Sequence, residues 1–203
     1  QPRSRGLGDV YKRQISEEAY DFIHRCCGSY EAQKADAIYR FVQEGLRMGR
    51  AVMSHLTAPY MQTLFAIERN FTNESHFFIE ILRFEELENG TLFGRINPKS
   101  EVLPYLADHF ADRFAGEQWV IADTVHRTVL LHKANYKTVY LSMDEVDMDE
   151  LTLTYSEDEK QLQKLWKLFV DTIAIKERVN PKLQRQMLPL RFRKYMKEFS
   201  ESE

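Results

Sequence analysis

The 203-residue chain is 43% hydrophobic and 29% charged, with 13 Phe and 10 Tyr, a balance that supports a buried core and excludes intrinsic disorder. No stretch approaches the roughly 18 apolar residues that a membrane span needs, and no apolar run follows the basic residues at the start as a secretory signal requires. The expectation is therefore a soluble cytoplasmic protein with no membrane partner, of formal net charge −3.

Residues 1–14 show no amphipathic period. The run Gly6-Leu7-Gly8-Asp9-Val10-Tyr11-Lys12-Arg13-Gln14 resembles a translated sequencing adapter. Native sequence is expected to begin near Ile15, with the true N-terminus missing and residues 15–203 forming a single domain. Arg3, Arg5, Lys12 and Arg13 outweigh Asp9, so the remainder carries −6. Such mild acidity does not by itself suggest nucleic acid.

Residues 16–27 read as a helix capped by Ser16, with Glu17 and Glu18 in the first turn, where the helix dipole favours acids. Cys26 and Cys27 are adjacent, too strained to bridge each other and without zinc spacing. They read as two reduced thiols on this helix, with a redox pair as the alternative. A longer helix covers 30–48, its apolar set Ala35, Ile38, Tyr39, Val42 and Leu46 following the helical period, and Gly45 and Gly49 mark its end. A third helix covers 59–70, with Pro59 in its first turn.

From His76 to Leu87 the sequence alternates but is apolar on both faces, which predicts a central strand. Asn89-Gly90 signals a hairpin, with 91–96 returning and Asn97-Pro98 breaking the strand. Ser100 is expected to cap a helix with Val102, Leu103, Leu106, Phe110 and Phe114 inside, ended by Gly116. Strands follow at 119–123, 128–132 and 138–142, the first two joined by a short turn. Residues 144–159 hold eight acids and no base and read as a solvated loop pinned by Leu151 and Leu153. Ser156 with Glu159 forms a capping box. It opens a helix to about 176 with an apolar stripe of Leu162, Leu165, Trp166, Phe169, Val170 and Ile173. Asn180-Pro181 ends that segment, and 189–199 form a last short helix. Short turns join the strands more often than crossovers do. The expected class is α+β, a small mainly antiparallel sheet of about five strands packed with N-terminal and C-terminal helices.

No phosphate loop, dinucleotide fingerprint, metal spacing or nucleophile elbow is present, so neither a metal nor a cofactor is expected. Three constellations remain. His109 and Arg113 share a helix face beside Phe110 and Phe114 and would grip a phosphate, unless Arg113 pairs with Asp108 or Asp112. Asp123 and Arg127 flank a turn, as a site or as a simple pair across the hairpin. His126 between them is the better proton-transfer candidate, since histidine titrates near neutrality. From 176 to 197 eight bases face one acid, Glu177, with Phe192 and Tyr195 interleaved. That segment suits nucleic-acid backbone and bases, or else balances the acidic stretch 144–159 within the fold.

Two blocks carry a resemblance. One runs Asn97-Pro98, Leu103, Leu106, His109-Phe110-x-x-Arg113-Phe114, Trp119-x-Ile121-x-Asp123-x-x-x-Arg127. The other is Glu177-Arg178-x-Asn180-Pro181-x-Leu183-Gln184-Arg185-Gln186-Met187-Leu188-Pro189, then Arg193-Lys194-Tyr195 and Glu198-Phe199. Over roughly residues 15–203 the chain resembles a bacterial family of DNA metabolism or DNA repair proteins, a domain often fused behind a uracil-DNA glycosylase and encoded beside a radical-SAM protein. The resemblance implies a DNA-associated accessory role, with DNA, a uracil-DNA glycosylase or a radical-SAM protein as partner. It carries over no catalytic residues. The chain lacks the water-activating Asp and the His-Pro-Ser type loop of a glycosylase, so uracil excision by this polypeptide alone is not expected. The candidates are His109, His126 and Asp123 for proton chemistry, and Arg113, Arg127, Arg185, Gln186, Arg193 and Lys194 for phosphate or nucleic acid. Alternatives are an enzyme acting on a nucleotide or damaged base through a His/Arg site, and a protein-interaction scaffold.

Overall fold

A computed structural model describes residues 16–145 and 154–199. The adapter-like segment, and the middle of the acidic stretch with Leu151 and Leu153, lie outside the described residues. Within the described chain two compact units are distinguished. One gathers residues 16–76 with Lys99–Val102, the other Phe77–Pro98 with residues 103–199.

The first unit is helical. Helix α1 (Glu17–Gly28) is capped as expected, Ser16 Oγ accepting the Ala19 N–H at 3.2 Å. It buries Ala19, Phe22 and Cys26, a spacing of three and four. Helix α2 (Lys34–Met48) buries Ala37, Phe41 and Gly45 and passes into a 3-10 turn, Gly49–Ser54. These meet Met61, Leu64 and Ile67 of α3 (Pro59–Ile81) in one core.

Helix α3 runs 23 residues and overturns the strand expected from His76. In its second half Glu74, Ser75 and Phe78 are buried three, four and seven residues on from buried Phe71, which is the helical period. A run apolar on both faces satisfies either period, and here the helix continues because its buried side chains stay on one stripe. The strand that remains is β1 (Phe84–Glu86).

Ser100 is not the helix cap. The carboxylate of Glu74, itself buried, accepts the N–H groups of Lys99 and Ser100 at 2.9 and 3.1 Å, so these amides are satisfied before any helix begins. The helix, α4, spans Leu103–Arg113 with Pro104 in its first turn.

The second unit holds the sheet, ordered β1-β2-β3-β4-β5. The hairpin of β1 and β2 (Leu92–Ile96) closes as the sequence requires. Gly90 takes φ 76°, and its N–H reaches Leu87 O at 2.8 Å. Strand β3 (Trp119–Asp123) lies parallel to β2, with α4 as the crossover. Strands β4 (Thr128–His132) and β5 (Val139–Ser142) continue antiparallel, giving an α+β sheet of five mostly antiparallel strands. Phe110 of α4 and Phe114 just after it meet Phe84 edge-on at 5.3 and 5.2 Å, and Phe110 reaches Trp119, covering one face. On the other face Leu87, Phe93, Val120, Ala122 and Val129 pack with Leu141, Met143 and Tyr155.

Helix α5 (Glu157–Ile173) is capped by Ser156 Oγ on the Glu159 N–H at 3.0 Å. The Glu159 side chain does not close the capping box, reaching instead the Glu86 N–H at 3.3 Å and Gln163. The expected inward stripe is not buried: Leu162, Leu165, Trp166, Phe169 and Ile173 are all exposed. Periodicity states which residues share a face, not what covers it. Asn180-Pro181 also opens a helix, α6 (Pro181–Met187), with Asn180 Oδ1 accepting the Leu183 N–H. The expected last helix is two 3-10 turns, Leu190–Tyr195 and Lys197–Phe199, separated by the extended backbone of Met196.

Candidate functional site

Strands β2 and β3 end side by side, Ile96 opposite Asp123. Crevices at the carboxyl ends of parallel strands are where open sheets that carry crossover helices bind ligands. Here Asp123 is fully buried. Its Oδ1 accepts the N–H groups of Val125 and His126 at 2.9 and 3.1 Å, and its Oδ2 lies 2.7 Å from His126 Nδ1. A carboxylate only accepts, so Nδ1 carries the hydrogen, and an imidazole bearing its one hydrogen there has Nε2 as its acceptor. The ring is one-fifth exposed. The pair is a proton acceptor held by a buried carboxylate, the arrangement general-base chemistry needs.

Arg127 does not pair with Asp123, whose oxygens are already taken. It sits in the left-handed region at φ 56° and meets Asp144 at 2.6 Å, both side chains exposed. Such a surface pair contributes about 0–1 kcal/mol. Its role is to hold the β3–β4 turn, together with its carbonyl on the Met143 N–H.

The basic C-terminal turn is fastened to this same edge. Asn97 donates to Arg191 O at 3.0 Å, and the Tyr195 hydroxyl lies 2.9 Å from Thr124 Oγ1. Arg95 stacks over the Tyr195 ring at 5.1 Å. Phe192, buried, lies between Phe77 and Phe78 at 4.7 and 5.2 Å. Of the sequence candidates, Arg185, Gln186 and Lys194 are displayed to solvent. Arg193 is not a free contact: its Nε donates to Leu188 O at 3.0 Å, Nη1 to Gln184 at 3.4 Å, and the guanidinium covers Phe199.

His109 and Arg113 lie elsewhere. They line a hollow of roughly 610 Å3 with Ile79, Glu80, Leu82, Arg83, Phe84, Leu92, Phe110 and Phe114. None of Asp123, His126 and Arg127 lines it, so the structure joins the histidine–arginine pair in one place and the histidine–aspartate pair in another. Arg113 makes no ion pair with Asp108 or Asp112 and rests over Phe114 at 5.6 Å.

One polar cluster escaped the sequence reading. Glu85, buried in β1, accepts from Arg95 at 3.2 Å and from Gln163, and pairs with Lys197. Tyr155 joins it, its hydroxyl 3.0 Å from Arg95, and burial with the Glu85 hydrogen bond pushes its phenol up to about 12. Its members span sequence separations from 10 upward, and no local pattern announces them. No group of three or more His, Cys, Asp or Glu suited to a metal occurs among the described residues. Nor is any of their helices long and apolar enough to cross a membrane.

Comparison with curated proteins and with solved structures returns no match. A family model does match, over residues 32–198, a span that includes the Asp123–His126 pair, the arginine-lined hollow and the anchored basic turn. The chain belongs to the family described as a domain of unknown function, DUF4130.

Proposed function

We propose that this protein is a nucleic-acid-binding accessory of DNA metabolism or repair. It would engage DNA through its C-terminal basic segment, alone or with a uracil-DNA glycosylase or radical-SAM partner. The observation that carries the reading is the anchoring of the Leu190–Tyr195 turn. Asn97 and Thr124 fix a stretch containing Arg191, Lys194 and an aromatic ring at the carboxyl edge of β2 and β3. Basic side chains supply phosphate contacts without regard to sequence, while Phe192 is buried and Tyr195 lies under Arg95, where they hold the turn in place. The resemblance to DNA repair proteins points the same way. Arg185→Glu with Lys194→Glu, both on exposed side chains, tests it by fluorescence anisotropy on labelled single- and double-stranded DNA. Loss of binding with an unchanged circular-dichroism spectrum supports the reading, and unchanged binding refutes it.

A second reading rests on the Asp123–His126 pair. It makes the protein an enzyme acting on a nucleotide or damaged base, with His126 as base. In that case His126→Ala abolishes turnover of a damaged-base oligonucleotide while DNA binding persists.

A further inference from the structure

We infer that the hollow between the end of α3, the β1–β2 hairpin and α4 is a binding site for a nucleoside monophosphate, separate from the C-terminal DNA surface. Two guanidiniums, Arg83 and Arg113, and the His109 imidazole line it against one carboxylate, Glu80. Neither arginine has a carboxylate partner among the described residues. Arg83 makes only a long bond to the Glu80 carbonyl at 3.5 Å, and Arg113 covers the Phe114 ring. Cations left unpaired beside apolar walls are suited to a phosphate, which a guanidinium can grip with two parallel hydrogen bonds.

The rest of the lining selects what the phosphate is attached to. Phe84 is half-buried, and with Leu92 and Leu82 it offers apolar surface, while Arg113 lies over the Phe114 ring. A nucleobase packs on such surface, and a bare phosphate or a sugar phosphate gains nothing from it. The volume, roughly 610 Å3, falls within the range of about 300–1,000 Å3 typical of small-molecule sites. Gly94 fits the same assignment. A Cβ there would stand 3.1 Å from Leu82 Cδ1 and 3.4 Å from the Phe84 ring, so a bare backbone is what lets these two walls settle onto β2.

The test is calorimetric titration of the whole chain with dAMP, inorganic phosphate and deoxyadenosine. The site requires dAMP to bind at least tenfold more tightly than either fragment. It also requires Arg113→Gln to weaken dAMP at least tenfold, with Arg185→Glu/Lys194→Glu leaving it unchanged. Retention in that last variant separates this site from the DNA surface, so either can fail alone. dAMP binding no tighter than inorganic phosphate, or unaltered by Arg113→Gln, overturns the assignment. Displacement of dAMP by a 5′-phosphorylated oligonucleotide, but not by its unphosphorylated form, identifies the ligand as a strand end. No displacement by either identifies it as the free nucleotide.

Discussion

Asp123 shows how a single side chain can form a turn and orient a neighbour together. It makes three hydrogen bonds with no exposure of its own. Asp123→Ala leaves two amides and an imidazole without their acceptor, and is expected to cost about 2–3 kcal/mol in urea unfolding. Asp123→Asn keeps an acceptor for the amides and costs less, yet it presents an N–H beside Nδ1 and reverses the tautomer, so a nitrogen-detected NMR spectrum of His126 will change. The sequence shows that an aspartate and an arginine flank a turn with a histidine between them, but not that the partner of Asp123 is His126 rather than Arg127. That choice depends on the left-handed conformation of Arg127, which carries its side chain to Asp144. Gly28 is a second position invisible to pattern. A Cβ there would meet the Phe71 ring at 2.9 Å, so Gly28→Ala forces a buried ring to move and should destabilise by roughly 1–3 kcal/mol.

At the level of elements, caps and turns were legible because their chemistry is local: Ser16, Asn89-Gly90 and Ser156 act where their side chains predict. Boundaries set by distant partners were not. The strand expected over 76–87 became the end of α3 because burial at Phe71, Ser75 and Phe78 favours the helical stripe over alternation. Ser100 caps no helix: Glu74, 26 residues away, accepts its N–H, and the helix begins only at Leu103. The candidate site was legible only in its residue types. Arg193 looked like a contact for nucleic acid, and the structure instead ties it to Leu188, Gln184 and Phe199. Phe192→Ala would empty the slot between Phe77 and Phe78 and cost about 3–5 kcal/mol if the C-terminal turn unfolds with the sheet. If the turn releases alone, proteolysis will cut near it while the thermal midpoint hardly moves. Either result reports how firmly the basic segment is held.

Across the whole molecule, each compact unit carries an acid whose proton is held by burial. The Cys26 thiol is pushed up from 9.0 to about 12, mainly by desolvation with a smaller contribution from Glu68. Tyr155 is pushed up to about 12 in the other unit. In both the folded pKa lies above the unfolded one, so the folded chain binds more protons in between. Stability is fully present below about pH 9 and is lost as pH rises toward about 12, up to roughly 4 kcal/mol from the fully buried Cys26. Urea midpoints should therefore fall on the alkaline side, and Cys26→Ser should alter that slope. The same burial makes Cys26 slow to alkylate, so exposed Cys27 reacts first.

The proposal of a DNA-binding accessory stands on phosphate contacts from a basic segment within a chain whose formal charge is −3. The measurement that tests it most directly is the salt dependence of DNA binding by the unaltered protein, followed by anisotropy. Affinity is expected to fall linearly on a log–log plot between low and moderate salt, by the several counterions that as many basic contacts release. Absence of binding at low salt, or binding indifferent to salt, would contradict it.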